Sequence, residues 1–120
     1  MKKSIKRIVA LALVLVFSLA LVACGGNDKA LQEISGQEYI SKSDSADGNY
    51  TVTAYLNDGE SSDYAVLCTV TDNSNGETRN IYWNDNCANA NIQWVNNDTV
   101  VINGTVINVK NGGFDYRDHN

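Results

Sequence analysis

The stretch TVVINGTVINV, residues 99–109, leaves the backbone little choice, because two β-prone runs flank an Asn103-Gly104 pair. Both residues tolerate the positive φ of a type I′ turn, whose twist suits a two-residue hairpin. Such a loop sets Val101 opposite Val106 and Val100 opposite Ile107. The same alternation recurs upstream. In YTVTAYL (50–56), Tyr50, Val52, Ala54 and Leu56 alternate with Thr51, Thr53 and Tyr55, and in DYAVLCTVT (63–71) Tyr64, Val66, Cys68 and Val70 share one face. EYISKS (38–43), ETRNIYW (77–83) and NIQWV (91–95) read as further strands, separated by the turn stretches SADG, NDGESS and DNSNG. No helical period survives past Gly36. The expectation is an all-β fold behind an N-terminal signal helix: a small antiparallel meander of six or seven short strands, closed as a sandwich or rolled sheet.

A different physics governs the start. MKKSIKR is a basic segment, and IVALALVLVFSLALVA (8–23) is an apolar run too short for the roughly 20 residues of a permanent membrane helix. Ending on small residues, it reads as an export signal. LVAC (21–24) resembles the bacterial lipobox. That resemblance implies cleavage between Ala23 and Cys24 and a diacylglyceryl group, with palmitate-class chains, on the Cys24 thiol. Each buried methylene contributes about 0.8 kcal/mol, so two chains anchor firmly where one does not. Gly25 supplies no acidic inner-membrane retention signal of the diderm type, and the CGGN stretch with the basic segment favours a Gram-positive source, hence the outer face of the cell membrane. An uncleaved membrane helix with an incidental cysteine is the competing reading.

Three segments follow: a signal peptide (1–23), the lipidated cysteine with a flexible tether (24–35), and an all-β domain (36–118). The tether's expected root-mean-square reach is about 20 Å. Beyond Ala23, five basic residues face fourteen acidic ones, a net charge of −9. Such acidity excludes nucleic acid as a partner, since phosphate binding needs clustered Lys and Arg. One short, marginally stable domain is expected, as a monomer.

The ordered series SADGNYTVTAYLNDG, DYAV, RNIYWN, IQWVNNDTVVING and FDYR resembles a domain family of unknown function found in short secreted and membrane-attached bacterial proteins. The likeness covers residues 36–117. Its pattern carries a proline where this chain has Ala46, and a more polar stretch after the hairpin turn than Thr105 to Ile107. The resemblance implies a β-rich exported domain and carries no catalytic residue.

With Cys24 assigned to lipid, Cys68 and Cys87 are the remaining cysteines of an exported domain, where disulfides persist. A bridge between them is the favoured reading, two unpaired thiols the other; it would add about 3 kcal/mol on a chain-entropy account. DNSNGE (72–77) lacks the calcium-loop spacing, since the EF-hand pattern wants glycine sixth and glutamate twelfth, and the reading is turn residues bonding their own backbone. No metal and no cofactor beyond the lipid is expected. Ile81 with Trp83 and Ile92 with Trp94 are placed like inward-facing pairs, whereas Tyr55, Tyr82 and Tyr116 are the candidate ligand-facing aromatics of a glycan-binding surface. Catalysis has thin support, because the only histidine is His119 at the chain's end. The expected function is a non-enzymatic binding or interaction module. Its partners would be the membrane, through the anchor, and a cell-wall polymer or another surface protein. A small hydrolase or inhibitor is the remaining alternative.

Overall fold

The computed structural model describes residues 29–119, which form eight strands in two sheets. The signal peptide, Ala23 and Cys24 lie outside the described residues. Four strands make an antiparallel meander: β1 (Glu38–Asp44), β2 (Tyr50–Asp58), β3 (Tyr64–Asp72) and β4 (Glu77–Asp85). Three more, β5 (Ile92–Asn96), β6 (Thr99–Ile102) and β7 (Thr105–Asn108), form a separate sheet in that order. The two-residue β8 (Phe114–Asp115) returns to lie parallel beside β4, and a 3-10 helix (Tyr116–His119) follows. All-β it is, with one more strand than expected. The addition is the parallel β8, too short for any alternation to announce it.

The hairpin forms as the sequence requires. Val101 faces Val106 and Val100 faces Ile107, with Asn103 at φ 49° and Gly104 at φ 86°. Between the sheets lies the main core. Val52, Ala54, Val66, Cys68 and Val70 from the larger sheet meet Val100, Ile102, Ile107 and Val109 from the smaller sheet and its exit. Burying each such aliphatic side chain contributes about 1.5–3 kcal/mol.

β3 is buried on both faces, from Ala65 through Val70. Its second face, with Trp83 beside Leu67, packs under a segment that the sequence reads as flexible tether. Residues 29–32 are helical, Leu31 is 3 % exposed, and Leu31 joins Ala65, Leu67 and Trp83 in a second apolar cluster. Gln32 offers its amide to β4 as a neighbouring strand would: Nε2 donates to the Asn80 carbonyl and Oε1 accepts from the Asn80 N–H, both at 2.7 Å. Asn80 Nδ2 in turn donates to the carbonyls of Leu31 and Ile34. The chain then crosses the face of Tyr55 at Gly36, where any Cβ would stand 2.5 Å from the ring. The packing therefore already includes Leu31, ahead of the expected boundary at residue 36. Isolated apolar residues such as Leu31 and Ile34 make no period, so the strap is invisible to pattern reading.

Candidate functional site

A β-bulge decides which aromatics can face a ligand. Cys68 pairs with Tyr82 but Thr69 pairs with Asn80, so Ile81 is an extra residue on β4. Ile81 and Tyr82 consequently both enter the inter-sheet core, while Trp83 turns to the strap. Tyr82 is 1 % exposed, stacks on Phe114 with ring centroids 5.4 Å apart, and accepts hydrogen bonds from Asn84 Nδ2 and Asn103 Nδ2. It is a core residue, not a ligand-facing one, and burial raises its pKa. Trp83 and Ile81, expected as a pair, are both buried but on opposite faces. Trp94 and Ile92 pack together against the inter-sheet core. Tyr55 and Tyr116 remain half-buried beside the Trp83 cluster.

The expected disulfide is absent: Cys68 and Cys87 are free thiols. Cys68 is buried in mid-strand, where desolvation followed by the nearby Cys87 pushes its pKa up to about 12. Cys87 lies in the loop after β4, where Sγ donates to the Asn89 carbonyl and accepts from Asn103 Nδ2. Each sulfur is thus held by packing or hydrogen bonds rather than by the other.

Tyr116 belongs to a network at the end of the larger sheet where β4 finishes. Its hydroxyl donates to Glu60, which pushes its pKa up to about 12. Arg117 grips Asp115 through Nε at 2.8 Å and Nη2 at 2.6 Å, and reaches Glu60 at 3.7 Å. The loop between β2 and β3 closes over Asp85, which accepts from the Ser61 and Ser62 hydroxyls and from the backbone N–H groups of Ser61 and Glu60. These donors hold the Asp85 carboxyl far below the usual carboxylate range. The acids here are fixed as structural acceptors. The DNSNGE turn uses its polar groups similarly, with Asp72 Oδ1 accepting from the Ser74 N–H and hydroxyl and Gly76 at φ 79°.

The recess suited to a small ligand lies where the two sheets part, a cleft of about 290 Å³. Register builds it. Tyr50, Asp72 and Glu77 stand directly opposite one another across β2, β3 and β4, and the next row sets Val70 opposite Arg79. Val109 and Lys110, just past β7, close the far wall. Arg79 Nη2 donates to the Val109 carbonyl at 2.8 Å, tying the guanidinium across the gap between sheets. Lys110 pairs loosely with Asp98 at 3.7 Å. Burial, then Asp72, Asp98 and Asp47, raises the Tyr50 pKa, so its phenol stays a neutral donor. The cleft offers an apolar floor and charges of both signs.

None of these cleft residues stands out as chemistry in the sequence. One signal is there: Arg79 and Lys110 are two of only five basic residues after Ala23. A model of a family of unknown function, DUF5412, matches residues 3–119. The chain belongs to that family. No curated protein and no solved structure matches it significantly. For this DUF5412 chain the site must therefore be argued from its own geometry. Among the described residues, no three His, Cys, Asp or Glu gather to hold a metal ion.

Proposed function

We propose that this chain is a lipoprotein on the outer face of a bacterial cell membrane, with its β domain acting as a non-enzymatic binding module. The carrying observation is the leader: a basic segment, then a sixteen-residue stretch (8–23) that is apolar but for Ser18 and whose end forms LVAC with Cys24. Leu31 is buried in the domain only seven positions later. A fully extended chain covers at most about 3.6 Å per residue, so the domain would ride within about 25 Å of its lipid. The cleft between the sheets supports binding, and at the other end of the larger sheet the carboxylates of Asp85 and Asp115 are tied up as hydrogen-bond acceptors. The test is protease treatment of intact protoplasts. Loss of the wild-type protein, with Cys24→Ala appearing in the medium or retained unprocessed, supports the reading. Complete protection of the wild type would overturn it.

A second reading, attachment to wall polymer, is favoured by Tyr39. It is 58 % exposed and lies across from Tyr55, on the sheet face that also carries the Thr51, Thr71 and Thr78 hydroxyls. Co-sedimentation with purified peptidoglycan, weakened by Tyr39→Ala, is the expected result; no co-sedimentation would remove this reading.

A further inference from the structure

We propose that the cleft at the parting of the two sheets binds a small zwitterion of the amino-acid or short-peptide class. This rests on the binding-module reading and names the ligand chemistry of that site. About 290 Å³ is at the small end of the roughly 300–1,000 Å³ typical of ligand clefts, which limits the occupant to a few residues' worth of atoms.

The lining selects among small molecules by charge. Asp72 and Glu77 face each other in one row, Val70 and Arg79 stand in the next row on that face, and Val109 and Lys110 close the far wall. A phosphate or simple carboxylic acid would satisfy the cations while facing two carboxylates. A cationic amine would meet the reverse conflict. A neutral sugar would desolvate charges of both signs and offer neither an ionic contact, which is costly. A molecule with an ammonium and a carboxylate separated by a short apolar middle meets all three surfaces. Two features prepare the site. Arg79 is fixed by its bond to the Val109 carbonyl, so its charge is already positioned. Lys110 is held only by an exposed pair with Asp98, whose side chains are 59 % and 39 % exposed; such pairs are weak and readily exchanged.

The location adds a reason of its own. The mature chain carries a net charge of −9 from five basic and fourteen acidic residues. Two of those five basic residues nevertheless stand at one recess, against the overall field of the molecule. A carboxylate would be repelled almost everywhere else.

The test is an amide-shift titration of the full chain in detergent micelles with alanyl-alanine of either chirality. Two capped controls accompany it: the N-acetyl dipeptide, which lacks the ammonium, and the dipeptide amide, which lacks the carboxylate. Saturable shifts at residues 70–72, 77–79 and 109–110, weakened at least fivefold by either cap, are the expected result. Lys110→Met should weaken the free dipeptide at least fivefold yet leave the dipeptide amide unchanged, and Glu77→Gln should act conversely on the N-acetyl form. Both side chains are exposed, so an unchanged melting temperature separates lost binding from lost folding. Saturable shifts clustered elsewhere overturn the cleft assignment while leaving a binding module standing. No shift with any dipeptide overturns the ligand class, and the peptidoglycan co-sedimentation then decides separately whether the module binds at all.

Discussion

Tyr82→Phe removes one oxygen and leaves the Asn84 and Asn103 amides without their shared acceptor. We expect a loss of about 1 kcal/mol by denaturant melting, against about 3–5 kcal/mol for Tyr82→Ala, which also empties a core site. No loss in Tyr82→Phe would mean that the hydroxyl does nothing. The two thiols make a different test. The lipidated chain should yield two titratable thiols on denaturation without reductant, with Cys87 labelling first and Cys68 only on unfolding. Asp85 carries the pH dependence. Its carboxyl is held below the ordinary value by the Ser61 and Ser62 hydroxyls and by two backbone N–H groups. Its contribution is therefore fully present above the unfolded carboxylate value of about 3.9, and is lost as pH falls toward its lower folded value. Asp85→Asn should melt lower at neutral pH and show a shallower decline in acid; an unchanged acid slope would sink this assignment.

At the level of elements, the β6–β7 hairpin does two jobs that one pair of substitutions separates. Gly104→Val opposes the positive φ of the turn and should cost about 1–2 kcal/mol. Asn103→Gly keeps the turn but loses the Nδ2 bonds to Tyr82 and to the Asn89 carbonyl, and the Oδ1 bond from the Asn91 N–H. It should cost about 1–3 kcal/mol through the lost bonds to Tyr82 and to the loop before β5, with the turn itself kept. This hairpin was legible because Asn-Gly and strict alternation act over a few residues. The meander was legible for the same reason. The bulge at Ile81 was not, since a single extra residue reverses parity without changing composition, and Tyr82 changed faces with it. The strap escaped as well. Leu31 finds Leu67 and Trp83 only through the tertiary fold, and Leu31→Ala should cost about 2–5 kcal/mol where a free tether would tolerate it. The cleft needed the register of three strands and a returning loop, none of which local pattern encodes.

Taken as a whole molecule, the chain joins an apolar leader to a small acidic domain through a strap that packs on the domain itself. Only residues 25–30 separate the proposed lipid site from Leu31, the first buried side chain among the described residues. On the proposed anchoring, the fold follows the lipid almost directly, and the proposed ligand of the cleft would be met close to the membrane surface. The central claim is that the lipid sits on Cys24, and intact mass of the membrane-extracted protein tests it most directly. The account predicts a chain beginning at Cys24 and heavier than its polypeptide by a diacylglyceryl group, with no such product from Cys24→Ala. A mass equal to the whole unmodified polypeptide, residues 1–23 included, would contradict it.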